Sequence, residues 1–422
     1  MIARLLRIFL AAVIFTASLS SSLQAELSSG DRSLLEKIER DSIQYFIRSS
    51  NKTTGLTKDS SRPGSPASIA ATGFSLASLA IAQSHGWIDK SYAEAQIRKT
   101  LFALLSKANH KNGFFYHFLD PATGKRIWQS EASSIDTALL IAGALTAGEY
   151  FPGTDIQKMA QKIYERANWE WMLNKSLLVC MGWVPETGFL PYYWDSYNEL
   201  LILQALALGS PTHPIPPEAW NEWVRNEDTF NNRKIIYSHS GSLFTYQYSH
   251  AFIDFREIND RGINYFKNST EATLANREYS MGFRNEHKGY AENSWGLSAS
   301  AGPGGYKAYG GKPGLGLQDG TIAPYAAISS IIFTPEESMK AVRFFYENYE
   351  KDLYGIFGFK DSFNLDKKWW SQEYIGIDQG VSVLMLENFL NQGAVWNKFM
   401  KLPAVQGWVK NSRIEKESIP SA

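Results

Sequence analysis

The 422-residue chain predicts an all-α fold: an (α/α)6 barrel, a double ring of six inner and six outer helices, with long loops at one end forming a cleft. Three observations point there. The helical segments alternate in character, one set amphipathic with charged faces, the other apolar or small throughout, as helices buried on all sides must be. A loop rich in glycine and aromatic residues precedes each buried segment. The unit of outer helix, loop and inner helix recurs about six times at varying spacing, which excludes a solenoid of fixed period.

The first 25 residues read as a secretory signal peptide: Arg4 and Arg7, an apolar run from Ile8 to Ala17, and Leu23-Gln24-Ala25 as a cleavage site. The run is shorter than the roughly 20 residues that a membrane span needs, and no later stretch is long and apolar enough. Residues 26–422 then form one domain of a periplasmic or secreted protein without a stable membrane anchor. Glu26 to Ile47 has helical periodicity, with Asp31 as a cap. Ser68 to Ala82 is a small-residue helix, and Tyr92 to Ala108 is amphipathic. Ser133 or Ser134 opens the next buried helix, with Asp136 in its first turn, and Asp155 to Asn174 is its outer partner. Asp195 caps a helix carrying Tyr197 and Glu199 in its first turns and running to Leu208, where Gly209 ends it. Glu218 to Val224 is short. A buried helix starts near Tyr248-Ser249-His250, and Gly262 to Tyr279 is long. Thr321 to Ile332 is buried, and Thr334-Pro335-Glu336-Glu337 opens an outer helix. Glu373 and Asp378 lead into the last buried helix, and Ala394 to Met400 is the final one. Short strands are expected around Phe114 to Phe118 and Ile356 to Phe359.

Lys plus Arg and Asp plus Glu both total 42, so charge offers no reason to expect nucleic acid or an acidic membrane as partner. Cys180 is the only cysteine, which excludes an intrachain disulfide and a Cys-rich zinc site; between Val179 and Met181 it reads as a buried apolar residue. Aromatic residues make up 14% of the chain, many beside Gly, Pro, Asp and Asn. Rings in loops can stack on the C–H faces of pyranoses, or simply pack the core. No coiled-coil or interface signature is visible, so a monomer is expected.

Several acids fall at inner-helix starts: Glu131, Asp136, Asp195, Glu199, Asp319, Glu373 and Asp378. Each alone could be a helix cap. In a barrel they converge on one mouth, and two carboxylates across a sugar are what glycoside hydrolysis needs, one as acid and one as base. Crowding carboxyls also raises the pKa of at least one. The seven histidines include no HExxH, no GxSxG occurs, and Gly302-Pro303-Gly304-Gly305 lacks the Lys-Ser/Thr ending of a phosphate loop and reads as a cleft lid. No metal and no cofactor are expected.

Six stretches carry a family resemblance: Ser133 to Leu139, Tyr193 to Glu199, Phe244 to His250, Trp295 to Ser300, Asp319-Gly320-Thr321 and Asp378-Gln379-Gly380. In this order they resemble the glucoamylase-like domain family, which includes glycoside hydrolase family 144, the bacterial endo-β-1,2-glucanases, and is similar to a domain of cyclic β-1,2-glucan synthases. The resemblance covers about Ser33 to Met400. It implies the (α/α)6 fold, an acidic pocket without a metal, and inverting hydrolysis of β-1,2-glucan to short sophoro-oligosaccharides. It implies Glu199 as general acid, Asp136 and Asp378 as base-side candidates with Glu131 next, and a carboxylate separation of roughly 6.5–9.5 Å or more. Asp195, Trp194, Tyr197, Tyr248, His250, Trp295, Trp369, Trp370 and Glu373 are the substrate-contact candidates.

Other readings stay open on sequence alone. The same cleft could release disaccharides from a chain end, transfer glucan or cleave another β-glucan. A polysaccharide lyase would use His250 or Tyr248 as base, but basic residues are sparse in the loops. A non-catalytic envelope glycan-binding protein would not need surplus acids.

Overall fold

The computed structural model describes residues 27–416; the expected signal peptide lies outside them. Fifteen helices occur among the described residues. The first half holds α1 (Ser29–Ser49), α2 (Ile69–Ser84), α3 (Lys90–Ser106), α4 (Ser134–Tyr150), α5 (Asp155–Arg166), α6 (Trp169–Met172) and α7 (Leu200–Leu208). The second holds α8 (Ala219–Glu222), α9 (Phe244–Phe252), α10 (Tyr265–Gly282), α11 (Pro324–Ser329), α12 (Pro335–Leu353), α13 (Gly376–Leu390), α14 (Ala394–Phe399) and α15 (Pro403–Asn411).

The inner ring is α2, α4, α7, α9, α11 and α13. Neighbours pack in that order, α13 closes against α2, and Gln247 of α9 reaches α11 by donating to the Ala326 carbonyl at 2.8 Å. Small residues make the ring possible. A Cβ on Gly143 of α4 would stand 1.9 Å from the Gly73 carbonyl oxygen of α2, so these two helices touch backbone to backbone. Outer helices lie against the ring, α1 on α13 and α2, α3 on α2, α5 on α4, α10 on α9, and α12 on α11. On α5 the buried residues are Ile156, Ala160, Ile163 and Tyr164, one helical stripe. The sequence reading missed α15, which packs on α7 and fills the sixth outer position beside the short α8, with Trp408 edge-on to Trp220.

Boundaries moved where tertiary contacts overrule local pattern. Ser28, not Asp31, caps α1, and Asp31 pairs with Arg343 of α12. Asp195 does not cap α7, which begins at Leu200. Cys180 bridges Tyr193, and Val224 donates to the Asp195 carbonyl at 2.7 Å, so residues 193–196 are held extended. Helix α9 starts at Phe244, ahead of Tyr248. Thr321-Ile322 pairs as a strand with Phe363-Asn364, so α11 starts only at Pro324. The outer segment from Asp155 breaks at Ala167, and Asn168 caps α6.

The strands are short and gather largely in the loops that enter inner helices. Strand 67–68, leading into α2, pairs with 118–119, and strand 132–133, leading into α4, pairs with 182–183. Strands expected near 114–118 and 356–359 occur at 114–115, 118–119 and 358–359. An unforeseen hairpin joins 299–302 to 305–308. No helix among the described residues is long and apolar enough to cross a membrane.

Candidate active site

At the mouth of α4, the Ser133 hydroxyl accepts from the Asp136 amide at 3.2 Å and donates to Asp136 Oδ2 at 2.6 Å. This reciprocal cap fixes the carboxyl at the helix entrance. His117, from the neighbouring loop, sets Nδ1 3.1 Å from Glu131 Oε1 and 3.6 Å from Asp136 Oδ2, its ring stacked on Phe118. Burial works against charge on this imidazole, but Asp136, Glu131 and Asp59 outweigh it and hold its pKa at about 9. His117 is therefore an imidazolium at neutral pH. Burial would raise Glu131, yet the His117 hydrogen bond wins and brings it below the ordinary range.

Glu199 stands at the amino end of α7. Burial pushes its carboxyl up to about 7, and the charge of Asp136 adds to the shift, with no cation among the charges acting on it. A glutamate so placed keeps its proton near neutrality.

The third group comes from α13 and the loop before it. Asp361 and Asp378 are each 2% exposed. Asp361 Oδ2 accepts from the Ala301 amide at 2.7 Å and from Ser362. Asp361 Oδ1 and Asp378 Oδ2 are left without a donor. Burial raises Asp361 to about 7; burial, then the facing Asp361 and Asp59, carry Asp378 well above the carboxylate range. One proton between the two carboxyls satisfies both orphan oxygens. Asp59 lies in the field of both groups: burial lifts it to about 6, opposed by His117 and Arg62 and reinforced by Asp136 and Glu373. Glu373 is paired with Arg62.

The structure thus brings together Glu131, Asp136, Glu199, Glu373, Asp378 and Tyr248, whose phenol is raised by burial and by the charge of Asp378. Of the other expected contacts, Tyr197, His250 and Trp295 are corrected to packing residues. Tyr197 is 1% exposed, stacked on Tyr265. His250, also 1% exposed, bonds Ser269 and packs between Phe255 and Phe333. It lies two residues from Tyr248 on α9, and residues so spaced face different sides of a helix. Trp295 is fully buried. Trp194 donates to Ser134 Oγ at 2.8 Å and so supports the α4 mouth from behind. Asp195 is exposed and takes a hydrogen bond from its neighbour Ser196. Trp370 stacks on Phe363, while Trp369 stays half-buried on the same strand. Asp319 binds Lys307 and Tyr309, which secures the 299–308 hairpin.

Sequence reasoning gave no role to Asp59, His117, Asp361 and Tyr306. Asp59 and Asp361 lie in loops that lead into inner helices, the same signal that marked the other acids, but ten or more residues upstream of the helix. Tyr306, 60% exposed on the hairpin, lies in the field of Asp378, Asp361, Asp59 and Glu199. Two groups among the described residues have metal-ligand chemistry: His117–Glu131–Asp136, and Glu39–His85–Glu387. In the first, one imidazole nitrogen faces both carboxylates, the geometry of an imidazolium ion pair.

Comparison with known proteins places the chain in a family. The Glycoamylase family model, described as "putative glucoamylase", matches residues 191–403, half of the chain. An exo β-1,2-glucooligosaccharide sophorohydrolase (non-reducing end) of Parabacteroides distasonis is 29% identical over 416 residues, covering 89% of this chain and 57% of its own length. The chain therefore spans little more than half of that relative. A solved endo-β-1,2-glucanase of Chitinophaga pinensis, in complex with sophorotriose and glucose, matches with a TM-score of 0.86 at 28% identity, over 92% of this chain and 99% of its own. A β-1,2-glucanase of Parabacteroides distasonis matches with a TM-score of 0.85 at 27% identity, over 90% of this chain and 60% of its own.

Proposed function

The chain belongs to the glucoamylase-like family, and from that premise we propose that it is an exported glycoside hydrolase that cleaves β-1,2-glucan to short sophoro-oligosaccharides with inversion. The observation that carries this reading is Glu199: a carboxyl raised to about 7 by burial at the mouth of one inner helix, with the Asp136 carboxyl at the mouth of a second acting on it and Tyr248 in the field of both Glu199 and Asp378.

Glu199 donates its proton to the glycosidic oxygen as the bond from C1 to that oxygen breaks. A water attacks C1 from the opposite face and gives its proton to the base, and Glu199 is then reprotonated from solvent. We assign the base to Asp378 with Asp361. With one proton shared between them, the pair keeps one ionised carboxylate to take the proton of the water. Asp136 and Glu131 lie against the cationic His117, which suits them to hold sugar hydroxyls. All these groups come from one chain, so a monomer suffices. Export rests on the basic and apolar start of the sequence and its Leu-Gln-Ala site.

One feature favours a second reading, release of disaccharides from a chain end. The 299–308 hairpin brings Tyr306 into the field of the acids, where it could close one side of the cleft. Incubation with β-1,2-, β-1,3-, β-1,4- and α-1,4-glucans, with products separated over time, tests both. Mixed oligomers from the β-1,2 polymer alone support the endo reading, and a single disaccharide throughout supports the exo one. Product only from another polymer overturns the linkage.

A further inference from the structure

A second titratable cluster lies at the opposite end of the ring, where inner helices finish. His85 is the residue after α2, Glu387 is in the last turn of α13, Tyr150 ends α4, and Glu39 reaches in from α1. Donor atoms of Glu39, His85 and Glu387 all lie within 4.8 Å of one another. His85 Nε2 is 2.8 Å from Glu387 Oε2, and its ring is stacked on Trp87, which fixes its orientation.

Glu39 is the anomaly. It is 1% exposed, and neither carboxylate oxygen has a hydrogen-bond donor. The buried Tyr150 hydroxyl beside it has no partner either. Burial and the facing Glu387 raise the Glu39 carboxyl well above the ordinary range, so the hydrogen bond open to it is a proton shared with Glu387; as two carboxylates the pair would cost several kcal/mol. The only cation turned to the cluster among the described residues is His85, raised by its hydrogen bond to Glu387 and displaced as a proton when a metal binds. Arg32 is committed to Glu36 and the Leu390 carbonyl, Lys398 to the Tyr150 ring face and the Glu149 carbonyl. The carboxyl ends of three inner helices add partial negative charge at the same place.

We propose that Glu39, His85 and Glu387 form a binding site for a divalent transition-metal ion, zinc foremost, which staples α1 to the inner ring. One imidazole and two carboxylates are a zinc-type donor set. Tetrahedral zinc with ligands at 2.0–2.2 Å needs donors about 3.4 Å apart, which small side-chain shifts supply here. His85, with 28% of its side chain exposed, opens the entry path. Asn391 Nδ2 donates to Glu387 Oε2 at 2.6 Å and stands 3.5 Å from His85 Nε2, holding that carboxylate from beside the imidazole. The site is remote from the acids of the cleft, so the ion serves structure rather than the reaction.

The purified chain is dialysed against zinc, desalted, and its metal content measured by mass spectrometry, with the unfolding midpoint read with and without EDTA. One zinc per chain is expected, raising the midpoint by about 3–5 °C at a hundredfold excess over Kd. Glu39→Gln and His85→Ala lose the zinc and its stabilisation, and His85→Ala, at a partly exposed position, guards against a Glu39 variant that does not fold. His117→Ala, which removes the imidazole of the cleft cluster, keeps the zinc. Three results each overturn the proposal: no retained zinc in the wild type, zinc that survives His85→Ala, or zinc that survives Glu39→Gln. The first, with Glu39→Gln as stable as the wild type, means that Glu39 and Glu387 share a proton instead.

Discussion

His117 Nδ1 stands 3.1 Å from Glu131 Oε1, an imidazolium–carboxylate pair set among at least four more carboxyls. The folded-state pKa of His117, about 9, lies above the ordinary 6.5. Its contribution to stability is therefore complete below about pH 6.5 and is lost as pH rises through 9. The gap in unfolding midpoint between the wild type and His117→Gln should be widest at pH 6 and should close by pH 9.5. A gap constant across that range would show that the imidazole is uncharged.

Glu199 has linkage of the same sign, at lower pH. Its folded pKa is raised, so the folded chain holds a proton that the unfolded chain releases between about 4.5 and 7. Above pH 7 the ionised carboxylate costs on the order of 3 kcal/mol. Glu199→Gln should raise the unfolding midpoint at pH 8, leave it unchanged at pH 4, and lower the hydrolysis rate at least about 100-fold. The same titration predicts that kcat/KM of the wild type falls above pH about 7, and a rate still rising at pH 8.5 would exclude Glu199 as the acid.

The close approach of α2 and α4 makes Gly143 irreplaceable. Gly143→Ala drives a methyl into the Gly73 carbonyl, and the cost should be about 3 kcal/mol or more in denaturant unfolding. Gly282→Ala, at the end of α10 with nothing near its Cβ, should stay within about 0.5 kcal/mol of the wild type or stabilise slightly.

Two aromatic residues separate packing from binding. Trp295→Ala should cost about 3–5 kcal/mol of stability, because the ring is fully buried. Tyr306→Ala should unfold like the wild type and raise KM several-fold, because the ring is exposed beside the acids. Equal stability of the two variants would contradict both placements.

The ring of helices was legible in the sequence because burial on all sides leaves a residue signature: Ser68 to Ala82 could not face water anywhere. The acids at inner-helix starts were legible for the same reason, since a capped entrance such as Ser133-Ser134-Ile135-Asp136 has local spacing. Asp361 had no such mark, because it meets Asp378 only through the return of the 363–370 strands. His250 and Tyr197 were misjudged because polar rings beside a catalytic-looking motif can serve the core, and only the turn of α9 and the extended 193–196 segment decide which way they point. The helix α15 was invisible because its place is set by contact with α7, whose Gly209 packs against Ala404.

The central claim is that Glu199 protonates the leaving sugar. The most direct measurement compares wild type and Glu199→Gln on β-1,2-glucan and on a dinitrophenyl β-sophoroside, whose leaving group needs no proton. The account predicts a loss of at least about 100-fold on the polymer and nearly full rate on the activated glycoside. An equal loss on both substrates, or an unimpaired rate on the polymer, would contradict it.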